Sequence, residues 1–201
     1  RSTISVSTAS QCSGVTTEDR TDMQTSSIKR TEQTLAAIQE TGDEGRRIFT
    51  HVYEQGALAA ARAADERAKN GVTLGPLDGR IVSVKDLYDI AGEVTTAGSA
   101  VRRTAAPATQ DALVVQRLRQ AGAVIIGKTN MTEFAFSGIG INPHYGTPGN
   151  ARDATRIPGG SSSGAGVAVA RGLSEISIGS DTGGSVRIPS ALNGVTGLKP
   201  T

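Results

Sequence analysis

The sequence predicts an α/β protein, a mixed sheet with at least part of it parallel, covered by helices. Three observations predict it. Short apolar runs at 81–84, 124–126 and 176–178 alternate with segments of helical spacing. Glycine supplies 25 of the 201 residues, about 12% against a usual ~7%, so glycine loops join these elements. Aromatics are only 3% with no Trp, which leaves Ala, Val, Ile and Leu to build the core.

Taken in order, residues 1–27 are dominated by Ser and Thr and read as a polar, disordered tail without the apolar region of a signal peptide. Ile28, Leu35 and Ile38 fall at helical spacing, and Gly42 ends that run. A second helical face covers 46–70 through Ile48, Phe49, Val52, Tyr53, Ala57, Ala60, Ala61 and Ala64, with Gly56 as a candidate break and Asn70-Gly71 as a left-handed cap. His51 falls within it as an ordinary helix residue. From Gly75 the rhythm becomes strand–helix–strand. Ile81-Val82-Ser83-Val84 is a buried strand ending at Lys85. Residues 109–120 form a helix capped by Thr109, with Leu113, Val114 and Leu118 inward. Val124-Ile125-Ile126 is the next strand, and a short helix through Phe136 follows. Helix 165–171, strand 176–178, a helical turn at 188–192 and a strand start at 195–198 complete the pattern.

Composition excludes several function classes. A chain of 201 residues supports one buried core, and so one domain or at most two. Lys+Arg 21 against Asp+Glu 19 leaves +2, too even for a nucleic-acid footprint. No apolar run approaches the roughly 18 residues of a membrane span. A single cysteine, Cys12, excludes an internal disulfide and a Cys-rich zinc site, and only His51 and His144 remain for metal or acid–base work. His144 sits in the loop signature Asn142-Pro143-His144-Tyr145-Gly146 and receives no catalytic role. These features predict a soluble, cytoplasmic protein.

Two glycine–serine clusters carry the chemistry: Pro158-Gly159-Gly160-Ser161-Ser162-Ser163-Gly164 and Gly179-Ser180-Asp181-Thr182-Gly183-Gly184-Ser185-Val186-Arg187. Flexible linkers do not usually sit directly before a helix and directly after a buried strand, as these do. Neither cluster fits a phosphate-cradling loop. Gly160 to Gly164 matches G-x-S-x-G with Ser162 as nucleophile, but that arrangement needs a later histidine, and both histidines come earlier. Ser26-Ser27-Ile28-Lys29 spells S-x-x-K by chance, without its companion motifs. A lysine can replace histidine as base if it is kept neutral, and Lys85 ends a strongly apolar strand where desolvation lowers its pKa. A strand-end lysine is otherwise a solvated charge.

Several blocks together resemble the amidase signature family. They are Gly75-Pro76-Leu77, Ser83-Val84-Lys85-Asp86, Gly127-Lys128-Thr129-Asn130-Met131, the two clusters with Ile188-Pro189, and Gly197-Leu198-Lys199-Pro200-Thr201. The resemblance implies a Ser–cis-Ser–Lys triad: Ser185 as nucleophile, Ser161 as the bridging serine behind a cis Gly160–Ser161 bond, and Lys85 as base. It implies backbone N–H groups from Thr182, Gly183, Gly184 and Ser185 for an oxyanion, and an acyl pocket lined by the helix at 131–137 with Ala135 as a wall. Met131, Phe134 and Phe136 read equally as core. Asp181 and Arg187 are placed to brace the turn, while Ser162 and Ser163 read as loop hydrogen-bonders. The substrate implied is a small-molecule amide, hydrolysed to acid and ammonia. Nucleic acid and membrane are not expected as partners, and a homo-oligomer is compatible with the reading.

On this resemblance the chain divides into a tail (1–27), N-terminal helices (28–74) and the N-terminal part of a catalytic domain (75–201). Family members continue past the last block, so a partial chain, incomplete at its C-terminus, is expected. Glutaminase subunits of tRNA-dependent amidotransferases share the triad but follow the nucleophile's Arg with Gln and carry a nearby Cys. Ile188 and Asn193 stand here instead and favour a free amidase. A non-catalytic fragment or binding protein on the same scaffold is the alternative of another class.

Overall fold

The computed structural model describes residues 3–7, as backbone, and residues 26–201. Strands β1 (Thr3–Ser7), β2 (Phe49–Val52), β3 (Ile81–Lys85), β4 (Val124–Thr129), β5 (Ile176–Ser180) and β6 (Thr196–Gly197) form one mixed sheet in the order β2-β4-β3-β5-β1-β6. Central β3 is parallel to both β4 and β5, while β2, β1 and β6 pair antiparallel. The β3–β4 connection runs through helix α4 (Leu113–Gln120), and the β4–β5 connection passes across β3 through helix α5 (Ser163–Ala170). The strand order therefore reverses at β3, where open α/β sheets place their sites beyond the carboxyl ends.

Alternation along β3 sends Ile81 into a core with Val124, Ile126, Val167 and Ala168, and sends Val82 and Val84 into another with Val115, Leu118 and Ile125. Every residue of β3 and β4 is buried, as expected for strands covered on both faces. Helix α5, Ser-Gly-Ala-Gly-Val-Ala-Val-Ala, is apolar and small all round, and only Ala170 escapes full burial. No helix among the described residues is long and apolar enough to cross a membrane.

Helix α1 (Ser27–Glu40) closes the first core with Ile38 and is capped by Ser26, whose hydroxyl accepts from Lys29 N at 3.3 Å. The Asp65 carboxylate accepts the next two free amides, Ser27 N at 2.7 Å and Ile28 N at 3.0 Å. The chance S-x-x-K sequence is thus a helix start.

Several expectations are corrected. The single helix at 46–70 is three elements: helix α2 (Asp43–Ile48), strand β2, and helix α3 (Glu54–Lys69). Phe49-Thr50-His51-Val52 is rich in β-branched and aromatic residues and pairs with β4, so tertiary pairing overrides the helical spacing. His51 is a strand residue whose ring lies 4.8 Å from that of Tyr53. Gly56 sits in α3 without breaking it, and Gly71 takes the left-handed φ of +67°. Helix α4 starts at Leu113, not near Thr109; Leu113 is 61% exposed and Val115 takes its inward place. Within the expected tail, Thr3–Ser7 is a strand beside β5, and Ser27 begins α1. The alternation of Ile4 and Val6 explains that strand, hidden among serines and threonines. Cys12 lies outside the described residues.

Packing is close at Gly164 on α5, where a methyl group would come within 2.3 Å of Ile48 O and 2.7 Å of Asn130 N. Neither backbone atom can retreat without opening the sheet. Gly164→Ala is expected to cost about 1–3 kcal/mol, read as a lowered urea midpoint at unchanged slope.

Candidate active site

Lys85 is the last residue of β3 and is fully buried. Its amine donates to Ser161 Oγ at 2.7 Å and to Ser180 Oγ at 2.9 Å, 76 and 95 residues away in the chain. Burial pushes the Lys85 amine down to about 7 from its ordinary 10.5, against an opposing pull from Asp181. The expected contact between Lys85 and Ser161 is formed, and the Gly160–Ser161 peptide bond is cis. Gly160 is held by its amide donating to Gly138 O at 2.8 Å, and Ser161 O accepts from Thr132 N at 3.0 Å.

The second cluster is organised by one carboxylate. Asp181 follows β5 and accepts from the amides of Gly184 (2.8 Å), Val186 (3.1 Å) and Arg187 (3.2 Å). The Arg187 guanidinium adds two bonds at 3.0 and 2.9 Å. That guanidinium, helped by the amides, holds the Asp181 carboxyl well below the usual carboxylate range despite burial. The Asp181–Arg187 brace read from sequence is present, and it extends into the backbone of the loop. Gly184 has φ +118°, which favours glycine.

Ser185 lies on this loop, half-buried, and its carbonyl accepts from Ser162 N at 3.1 Å. The two clusters are therefore joined at their backbones. Among the described residues, the Ser185 hydroxyl has no hydrogen-bond partner, so the structure makes the Lys85–Ser161 contact but not a Ser161–Ser185 one. The Gly184 N–H is engaged by Asp181, so Gly184 does not have it free for an oxyanion. The N–H groups of Thr182, Gly183 and Ser185 have no partner among the described residues, and Thr182 and Gly183 are exposed.

Ser162 behaves as a loop hydrogen-bonder, with its hydroxyl 3.4 Å from both Ser180 N and Ser180 O. Ser163 differs: it begins α5, and its buried hydroxyl has no partner among the described residues. The expected helix at 131–137 is only a 3-10 turn, Glu133–Ala135, with Phe134 (φ +49°) and Ala135 (φ +57°) in left-handed backbone. Glu133 explains the distortion, since Ser99 Oγ (2.6 Å) and His144 Nε2 (3.3 Å) hold its carboxylate while Phe134 N reaches Ala97 O. His144 is thus a loop brace. Met131 is core, but Phe134 is 54% and Phe136 93% exposed.

Sequence reading missed Ser180 as a partner of Lys85; its signal was its place at the end of the strand parallel to β3. It also missed Asn130 and Asn142. Asn130 Nδ2 donates to Arg47 O and Gly146 O at 2.8 and 2.7 Å, and Asn142 Nδ2 donates to Gly98 O and Met131 O at 2.8 and 2.7 Å, latching the segment that meets Ser161. No group of three or more His, Cys, Asp or Glu side chains among the described residues converges to hold a metal.

The chain belongs to the amidase family, whose sequence model matches residues 29–201. It is 49% identical over 170 residues to AtzE, a 1-carboxybiuret hydrolase component of Pseudomonas sp. (strain ADP), covering 85% of this chain and 37% of that protein. It is 47% identical over 174 residues to a glutamyl-tRNA(Gln) amidotransferase component of Chloroflexus aurantiacus, covering 87% of this chain and 35% of that one. Among solved structures it is similar to a chain of an inhibitor-bound vestigial protein complex described as revealing the evolutionary origins of an s-triazine catabolic enzyme. The TM-score is 0.81 at 44% identity, with 88% of this chain and 38% of that chain covered. The chain thus spans little more than a third of the relatives it matches.

Burial of Lys85 has a measurable consequence for stability. The unfolded lysine keeps its proton up to about 10.5 and the folded one releases it near 7, so unfolded chains bind more protons between these values. Stability is expected to rise with pH across that window. Lys85→Met fills the same space without a charge and should be more stable than the parent, most clearly at pH 7 and below. Urea unfolding at pH 7 and pH 10 checks this, the difference in midpoint shrinking at the higher pH.

Proposed function

We propose that the chain is the nucleophile-bearing part of an amidase that hydrolyses a small-molecule carboxamide to acid and ammonia, without metal or organic cofactor. The observation that carries this reading is the buried 2.7 Å contact between Lys85 Nζ and Ser161 Oγ. Neutral Lys85 takes the Ser161 proton, Ser161 takes the Ser185 proton, and Ser185 Oγ attacks the carbonyl carbon. This attack requires Ser185 to close onto Ser161 when substrate binds, as catalytic contacts often tighten only then. The amides of Thr182, Gly183 and Ser185 receive the developing oxyanion, with Gly184 supplying the backbone shape. As the C–N bond breaks, the proton held by Lys85 returns through Ser161 to the leaving nitrogen. Water then hydrolyses the seryl ester by the same relay. Ala135 stands at the wall of the acyl pocket.

Relatives of both kinds are similar to this chain, one from a hydrolase and one from an amidotransferase. Ile188 and Asn193, standing where the latter's Gln and Cys are expected, favour the free amidase. We place the protein in the cytoplasm, acting on small molecules rather than nucleic acid or membrane.

Labelling with a fluorophosphonate separates these readings from a non-catalytic scaffold. Covalent mass is expected on Ser185, lost in Ser185→Ala and largely kept in Ser162→Ala. Lys85→Ala should label and turn over at least about a hundredfold more slowly, within the range for loss of a general base. The pH profile follows from the sign of the Lys85 shift. Only the neutral amine is a base, so kcat/KM should rise with pH through about 7 and level off above it. A flat profile between pH 5 and 8 would remove Lys85 from the role.

A further inference from the structure

We infer that Ser180 is a positioning residue for the base: its hydroxyl accepts an N–H of Lys85 and so turns the amine's lone pair toward Ser161. The inference rests on the proposed role of Lys85 and deepens it. A neutral amine has two N–H donors and a single lone pair, and rotation about Cε–Nζ offers three staggered orientations. Only one of them aims the lone pair at the Ser161 proton. Two hydroxyls meet the fully buried Lys85 amine, Ser161 at 2.7 Å and Ser180 at 2.9 Å. Thr129, the register partner of Lys85 on β4, has a buried hydroxyl without a partner among the described residues, so it supplies no third acceptor. If Ser161 gives its proton to the lone pair, Ser180 is the acceptor that remains for an N–H. It sits at the end of β5, two residues past Ile178, the last β5 residue in register with β3, and its amide lies 3.4 Å from Ser162 Oγ, next to the cis-linked serine.

The charged groups around this amine leave Ser180 as the adjustable contact. Asp181, on the loop after β5, is bound by Arg187 and three amides. Asp86 and Lys128, from the loop after β3 and from β4, pair with each other at 3.3 Å. Helix α5, packed against β3, carries no titratable side chain. The Tyr88 hydroxyl donates to Gly179 O at 2.6 Å.

The test is steady-state kinetics across pH 5–9 on the natural protein and its Ser180→Ala, Ser180→Thr and Lys85→Ala variants, with one good amide substrate. Ser180→Ala should lower kcat about tenfold with little change in KM, because substrate contacts are untouched and the base samples unproductive orientations. The charged amine loses a stronger hydrogen bond than the neutral one, so the acid limb should move down by about one pH unit. Ser180→Thr retains the hydroxyl and should restore both. Parental kcat in Ser180→Ala, a lowered kcat with the acid limb unmoved, or a Ser180→Thr variant behaving like Ser180→Ala would each overturn the positioning role. Lys85→Ala separates the two levels. If it is inactive while Ser180→Ala matches the parent, the positioning role alone fails; if it keeps parental turnover, the base itself is misassigned.

Discussion

One constraint organises the molecule: an amine at the end of the central strand must be kept out of water. An ammonium loses its hydration there and gains no carboxylate in direct contact, so burial favours the neutral form. The elements around it follow from that need. Strands β4 and β5 flank β3 on both sides, and α5 lies across them built from Gly, Ala, Val and Ser, because larger side chains would hold the helix away from the sheet. At Gly164 the helix meets the backbone of Ile48 and Asn130 so closely that no Cβ fits. The same approach brings the segment before α5, with Ser161, down onto Lys85. Low aromatic content and high glycine content are two expressions of this demand for close backbone contact.

Charge is sorted with equal care. The protein buries two lysines at adjoining strand ends, and gives them different company. Lys128 stands 3.3 Å from the Asp86 carboxylate, which is itself fixed by Thr96. Lys85, one residue before Asp86, meets only hydroxyls. The nearby Asp181 would favour the charged form of Lys85, but Arg187 and three amides draw on its carboxylate. Part of the field that would recharge Lys85 is thereby absorbed in shaping the loop that carries Ser185.

The α/β class, the strands at 81–85, 124–129 and 176–180, and helix α5 were legible because burial on both faces leaves continuous apolar runs bounded by glycine. Ser161 and the Asp181–Arg187 brace were legible because two dense motifs carry them, and Lys85 because it ends a strongly apolar strand. Strand β2 was not: Ile48, Phe49, Val52 and Tyr53 satisfy helical spacing, and only pairing with β4, 78 residues or so along the chain, selects the strand. The turn at Glu133–Ala135 was hidden for a similar reason, since Ser99 and His144, which hold Glu133, are distant in sequence. Helix α4 begins at Leu113, later than Thr109 suggested, and Val115 rather than Leu113 faces inward. For β2 and the Glu133 turn, partners elsewhere along the chain decide a local conformation that local pattern leaves open.

Fold and chemistry meet in the relation between Ser161, Ser180 and Lys85. No two of them are close in sequence, and each hydroxyl comes from a different kind of element. Ser161 arrives on a loop ordered by Gly138 and Thr132, and Ser180 on the rigid end of a strand. On the proposed role, a strand end suits a residue whose task is to hold an amine in one orientation, because β5 is fixed between β3 and β1. A loop is the better place for a residue that, on the proposed mechanism, must also meet Ser185, because the Ser162–Ser185 backbone bond ties that loop to the turn of Ser185. On that proposal the division leaves Lys85 fixed from the sheet side and addressed from the loop side. Ser185, half-exposed and with its hydroxyl uncommitted among the described residues, is then the member the proposal leaves to respond to substrate.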